Sequence, residues 1–176
     1  MNKELWDKAM DFHGHACPGL AIGFMASMAV LEDPELGKVP HGDLVCLTEN
    51  DACGVDAIQS VLGCTLGKGN LILKDVGKHA YSFYDRKSGN SLRLVSRRGR
   101  SNPDLDREAR IAAVLETPLT ELFERKPTSQ PAPHRAKIFA TVICQECGEP
   151  TAEHRLRVKD GKSVCLDCFA DYGHRW

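Results

Sequence analysis

The chain has 176 residues, and its 23 Lys and Arg against 24 Asp and Glu give a formal net charge of −1. This balance excludes a protein that holds nucleic acid or an anionic membrane by bulk charge, and 42% hydrophobic residues exclude wholesale disorder. The most apolar stretch, residues 19–31, is too short to span a bilayer, and the N-terminus shows no secretory signal, so we expect a cytoplasmic protein without membrane contact.

The first third of the chain predicts helix, helix, strand and helix. Residues 3–11 are typical of a short helix, and Pro18 begins a second one because proline is tolerated in a first turn. This second helix is apolar nearly all round, which predicts a buried position. Residues 43–48 predict a buried strand, after which Asn50 or Asp51 is expected to cap the third helix. The small residues that would let another backbone approach the second helix closely are Gly19, Ala21, Gly23 and Ala26.

The middle of the chain predicts three strands followed by two helices. The strand candidates are residues 71–76, 80–85 and 92–96. The helix candidates are residues 104–115 and 119–125. Helices that segregate around a mainly antiparallel sheet indicate the α+β fold class.

A proline-rich segment divides the chain. Prolines without a large apolar neighbour predict a semi-extended spacer that cannot bury a core. The sequence therefore predicts a core domain over residues 1–125, a linker over 126–136 and a zinc-finger domain over 137–176.

The C-terminal region carries two C-x2-C pairs separated by 17 residues, Cys144 with Cys147 and Cys165 with Cys168. Two residues between thiols let both sulfurs reach one ion, and two such turns complete a tetrahedral site that favours zinc. An iron–sulfur cluster would need the same number of ligands, but the ribbon-like spacing favours zinc.

The flanks of these pairs predict a treble-clef-like finger. Asp160-Gly161 is a hairpin signal between residues 153–158 and 162–164, and residues 166–172 predict a helix. The finger region has six basic and six acidic residues, which disfavours nucleic acid as its partner. A structural role or docking of a protein partner is the better interpretation.

The N-terminal region holds a second group of metal-binding side chains. His13, His15 and Cys17 alternate along five residues, so in an extended segment they would face one point. Cys17 and Cys53 each lie at a predicted helix start, where the helix dipole favours a thiolate. We expect a core site for zinc or another transition metal here, although any one of these histidines alone is more often a surface or capping residue.

Two further cysteines in this region have other interpretations. Cys46 lies in the middle of a strand and is expected to be a small buried hydrophobe. Cys64 borders a glycine-rich loop and is a less certain member of the core site, because it follows a helix end, where the dipole disfavours a thiolate.

Four motifs in order resemble the FmdE family, named after the E component of formylmethanofuran dehydrogenase, over residues 5–125. They are Phe12-His13-Gly14-His15-x-Cys17-Pro18-Gly19, Asp51-x-Cys53-x-x-Asp56, Gly63-Cys64-Thr65-x-Gly67-Lys68-Gly69-Asn70 and Gly77-Lys78-His79-Ala80. The resemblance implies an α+β core, metal near the His-Cys motif and a homodimer, and some members also carry a treble-clef finger. It does not imply formylmethanofuran chemistry, because the chain cannot house a molybdopterin and iron–sulfur apparatus.

Three functional hypotheses follow. The first is a metal-binding accessory protein whose finger stabilises a dimer or docks a partner. The second is an enzyme whose core metal keeps an open position, with Asp51, Asp56 or Lys68 as helpers. The third is a metal-sensing transcriptional regulator. Four protein ligands would close the core site, whereas three would leave room for chemistry.

Overall fold

The computed structural model describes residues 2–97 and 105–169. The chain divides into two compact units, Met1–Ala136 and Lys137–Trp176. The expected helix start at residue 104 and residues 170–172 of the helix expected over 166–172 lie outside the described residues.

The first unit combines helices with one five-stranded sheet. Its helices are α1 (Lys3–His13), α2 (Pro18–Leu31), α3 (Gly54–Leu62), α4 (Arg107–Leu115) and the one-turn α5 (Leu119–Leu122). Its strands are β1 (Leu44–Thr48), β2 (Leu71–Leu73), β3 (Ala80–Asp85), β4 (Ser91–Ser96) and β5 (Phe123–Lys126). The strand order is β2-β1-β3-β4-β5, with β1 and β2 parallel and the other three pairings antiparallel. The α+β class is therefore confirmed.

Helix α2 is the centre of the hydrophobic core. Leu20, Phe24 and Val30 have no exposed surface, as expected for a helix that is apolar on nearly every side. A Cβ added to Gly23 would lie 2.0 Å from the carbonyl oxygen of Gly54, so α2 and α3 touch backbone to backbone. This confirms that small residues on α2 admit a close neighbour. Within the described residues no helix is both long and apolar enough to cross a membrane.

The face of the sheet that points away from α2 carries a smaller apolar cluster of Val45, Leu47 and Tyr84. Ala132 packs against it, and residues 131–136, which we term the strap, lie along this face. Arg86 donates hydrogen bonds to the backbone carbonyls of Gly69, Pro133 and His134.

An ion pair strengthens this attachment, since Arg135 pairs with the buried Asp43. The proline-rich segment is thus docked on the first unit over residues 131–136, whereas its sequence predicts a free spacer. The sequence gives no sign of this because the strap attaches through backbone carbonyls and not through large apolar side chains.

Two predictions about element boundaries are wrong. Helix α3 is capped by Cys53, because the Asn50 side chain accepts instead from the backbone N–H of Ala52 in a local turn. The helix expected over 119–125 ends at Leu122, and Phe123 begins a strand that pairs with β4. Burial of Phe123 beneath the sheet outweighs the local helical pattern.

The second unit consists of two small hairpins. Strand β6 (Thr141–Ile143) pairs with β7 (Pro150–Ala152), and β8 (Arg157–Lys159) pairs with β9 (Lys162–Val164). Asp160 and Gly161 both have positive φ, 51° and 77°, as the expected two-residue turn between β8 and β9 requires. Residues Glu153–Arg155 form a 3-10 turn and not the strand expected there.

Candidate metal centres

The junction between α1 and α2 brings three candidate ligands together. One ligand atom from each of His13, His15 and Cys17 lies within 4.8 Å of the others. The chain is not extended here, as the sequence analysis assumed. Helix α1 ends at His13, and Gly14 reverses the chain with a φ of 86°. The three side chains meet because a left-handed turn joins two helices, which only glycine enters without strain.

Cys17 is the N-cap of α2. Its sulfur accepts a hydrogen bond from the backbone N–H of Leu20 at 3.3 Å, and only 9% of the residue is exposed. The bond fixes the sulfur at the positive end of the helix dipole, where negative charge is stabilised.

A carboxylate orients the His13 ring. Nδ1 of His13 lies 2.7 Å from Oδ2 of Asp56, and Nε2 lies 3.8 Å from the Cys17 sulfur. Gln59 in turn donates to the other carboxylate oxygen of Asp56 at 3.2 Å. With Nδ1 held by a carboxylate, Nε2 is available as a neutral nitrogen donor, which is the usual arrangement around metal-binding histidines.

The sequence analysis treated Asp56 only as a helper of catalysis and missed its contact with His13. The one available signal was the spacing Cys53-x-x-Asp56 at the start of a helix. The contact joins residues 43 positions apart, so the spacing alone does not reveal it.

Cys53 lies beside this cluster. A Cβ on Gly19 would be 3.7 Å from the Cys53 sulfur and 3.9 Å from the Cys17 sulfur, so the two thiols flank Gly19. Burial and then a hydrogen bond with Cys17 raise the pKa of Cys53. Among the described residues, the compact ligand set contains His13, His15 and Cys17 but not Cys53.

The structure does not bring Cys64 to the cluster. It follows α3 at the end opposite to Cys53, and nine residues of helix span about 13 Å. Its sulfur donates to the carbonyl of Leu44, and burial raises the pKa of this thiol to about 12. Cys46, completely buried, also has a raised pKa, because of burial and then the neighbouring Cys64. Lys68 lies at this same end of α3, near Gly63.

The finger cysteines form a second compact set. Ligand atoms of Cys144, Cys147, Cys165 and Cys168 all lie within 4.8 Å of one another. Hydrogen bonds from the backbone N–H groups of Cys147 and then Cys165 lower the pKa of Cys144 to about 6. Gly148 follows the first pair with a φ of 77°, as a tight turn at this position requires. Four thiolates in one tetrahedral cluster are a donor set that fits zinc.

Little else holds the finger together. Among the described residues of the second unit, the buried apolar side chains are Cys144 and Val164. Lys159 bonds the carboxylate of Glu146 and the carbonyl of Cys168, which ties the second hairpin to both cysteine turns.

Comparisons with known proteins agree with this division. A family model described as FmdE, molybdenum formylmethanofuran dehydrogenase operon, matches residues 12–124. A model of the prokaryotic dksA/traR C4-type zinc finger matches residues 137–173.

Similar proteins are known from an archaeon and a bacterium. A probable S-adenosyl-L-methionine-binding protein of Archaeoglobus fulgidus is 30% identical over 197 residues, which cover 94% of this chain and 52% of the relative. The chain thus spans about half the length of that relative. The crystal structure of an FmdE-like protein of tungsten formylmethanofuran dehydrogenase type, from Syntrophus aciditrophicus, has a TM-score of 0.69 at 24% identity. The match covers 94% of this chain and 90% of that one, and it shows a shared fold.

Proposed function

The chain belongs to the FmdE family, and from that premise we propose that it is a metal-binding protein with two separate metal sites. In the core, His13, His15 and Cys17 hold zinc or another transition metal that prefers nitrogen and sulfur donors. In the finger, Cys144, Cys147, Cys165 and Cys168 hold zinc.

The orientation of His13 carries the core part of this proposal. A histidine that merely caps α1 has no need of a carboxylate on Nδ1 and a thiol facing Nε2. His13 has both, and Gln59 holds the carboxylate in turn. Such a chain of partners fixes the tautomer and the ring orientation of a metal ligand.

We assign Cys53 a place beside the site and not within it. Three protein ligands leave one position open on the metal, which is the arrangement of catalytic or ligand-binding sites. If Cys53 were a fourth ligand, the site would be closed and its role structural. Because Asp56 already serves His13 and Lys68 lies at the far end of α3, Asp51 is the helper that remains free to act there.

Metal analysis of the purified full chain, without added zinc, tests both sites. The wild type should hold two ions per chain. Cys17→Ser should lose the core ion, Cys53→Ser should keep both, and the double variant Cys144→Ser with Cys165→Ser should lose only the finger ion.

Cys64→Ala is the matched control, since it removes a cysteine of the first unit that lies outside the cluster and should leave both ions in place. A wild type with one ion per chain, held entirely by the finger, would contradict the core site. Loss of the core ion in Cys53→Ser would show a closed site with four protein ligands.

We further propose that the finger mediates assembly, as a homodimer or with a protein partner. Its hairpins expose apolar side chains, of which Ile138 is 102%, Val158 73% and Ile143 57% exposed. Helix α2 does not support a dimer, because nine of its 14 residues are buried within this chain. Light scattering at micromolar concentration should give twice the chain mass for the wild type and the single mass for Val158→Ser combined with Ile143→Ser.

A further inference from the structure

A cavity of about 370 Å³ opens beside the core cluster. Its lining includes His13 and Cys53, so it adjoins the side of the cluster on which Cys53 lies. Leu66, Leu71 and Leu73 form an apolar wall. Leu66 is 66% exposed and Leu73 47% exposed, although both are large apolar side chains. A cavity with an apolar wall and a few polar groups is the usual form of a small-molecule site.

The polar lining is acidic. Asp51 and Asp56 both line the cavity, and among its described lining residues there is neither a lysine nor an arginine. Asp56 is engaged by His13 and Gln59. In the part of the chain that the structure describes, the Asp51 carboxylate has no hydrogen bond or ion pair with another residue.

The remaining polar lining is occupied internally. The Thr48 hydroxyl donates to the carbonyl of Asn50, and the Asn50 side chain donates to the carbonyl of Lys78. The cavity therefore offers a ligand one free carboxylate, an apolar wall and the neighbourhood of a metal cluster.

We infer that this cavity binds a small aminothiol, and this inference rests on the proposed core metal site with its open position. The thiol loses its proton to solvent and its sulfur coordinates the metal, which prefers soft donors. The ammonium group pairs with Asp51, and the carbon chain packs on Leu66 and Leu73. A ligand without the amine leaves the carboxylate without a partner, and a ligand without the thiol does not reach the metal as a soft donor.

Three matched probes test the inference on the full chain with zinc in the finger and cobalt in the core site. Cysteamine carries both groups, 2-mercaptoethanol replaces the amine with a hydroxyl, and ethanolamine replaces the thiol. Binding is followed by the sulfur-to-cobalt charge-transfer absorption and by calorimetry, and metal content is measured before and after each titration.

We expect cysteamine to bind about fivefold more tightly than 2-mercaptoethanol, the upper range for one partly exposed ion pair. Asp51→Asn should abolish this difference and leave the affinity for 2-mercaptoethanol unchanged. Ethanolamine should give no charge-transfer band and little heat.

The apolar wall is tested with N-propylcysteamine. Each buried CH₂ group contributes about fourfold to affinity, so the partly buried propyl group should strengthen binding at least about tenfold over cysteamine. Leu66→Ser should remove most of this gain. Val76→Ser is the matched control, because Val76 is 49% exposed and does not line the cavity.

The outcomes separate the two proposals. A core site that takes up no cobalt overturns the proposed function and this inference together. A cobalt-loaded core whose spectrum none of the thiols changes, or one that binds 2-mercaptoethanol as tightly as cysteamine, overturns the inference alone.

Discussion

The two cysteine clusters of this chain are built in opposite ways. The core cluster stands on helix ends within a packed unit, where α2 and α3 meet backbone to backbone and Cys17 is almost fully buried. The finger cluster stands on turns between short hairpins, with two buried apolar side chains among its described residues. The fold therefore positions the ligands in the core, whereas in the finger the metal must supply most of the folding free energy.

Removal of the finger ligands should have the largest effect. Zinc contributes about 10 kcal/mol or more to the folding of a structural finger. In the double variant Cys144→Ser with Cys165→Ser, the amides of β6 to β9 should lose protection in hydrogen exchange. Those of α2 and β3 should exchange as in the wild type. A finger that stays protected without its metal would erase the contrast between the two clusters.

A substitution in the helix contact should break the preformed geometry of the core. In Gly23→Ala the new Cβ would meet the backbone of Gly54 at 2.0 Å, so the helices must separate. Overpacking against backbone leads us to expect a loss of about 3 kcal/mol in the free energy of unfolding, measured with denaturant. Gly67→Ala is the control, since nothing lies within 4 Å of its new Cβ. Equal stabilities of the two variants would show that the core cluster does not depend on this contact.

Loss of the carboxylate on His13 should weaken the core site and leave the finger unchanged. Asp56→Asn replaces the oxygen that faces Nδ1 with a neutral group. Loss of such an orienting partner lowers metal affinity about 10- to 100-fold. Competition with a chromogenic chelator measures both sites, and Asp51→Asn serves as the matched loss of charge. An unchanged core affinity would mean that His13 is not a ligand.

The smallest effect concerns the acid sensitivity of the first unit. Arg93 holds the Glu49 carboxylate with two hydrogen bonds of 2.7 and 2.9 Å, and this contact lowers the pKa of Glu49. The stabilisation is complete above the ordinary pKa of a glutamate, about 4.3, and is lost as the pH falls through the lower folded value.

Glu49→Gln should therefore cost about 1 kcal/mol at pH 7, and the difference from the wild type should shrink below about pH 4. Urea unfolding of the first unit, followed at several pH values through hydrogen exchange, gives this curve. A difference that persists undiminished at pH 3 would assign the loss to packing and not to charge.

The sequence predicted best what local chemistry decides. The start of α2 at Pro18 and the turn at Asp160-Gly161 follow from proline and glycine geometry, and both are confirmed. The strand over 80–85 is also confirmed to its ends. The four-cysteine cluster of the finger needs only two short spacings, so it too can be read from the sequence.

Features that depend on tertiary contacts were missed. The contact of Asp56 with His13 needs α1 beside α3, and no local pattern encodes that neighbourhood. Strand β5 forms because β4 offers it a partner, although residues 119–125 favour a helix locally. The strap was missed for a similar reason, since its partner is the side chain of Arg86 and not its own composition.

Arg86 holds the strap entirely through main-chain oxygens, which every amino acid supplies. Mutations that alter the side chains at positions 133 and 134 leave those acceptors in place, so drift at these two positions is tolerated. The anchoring cost falls instead on a single arginine of the host unit. A lineage that exchanges its C-terminal module for another inherits a ready junction, provided that Arg86 is retained.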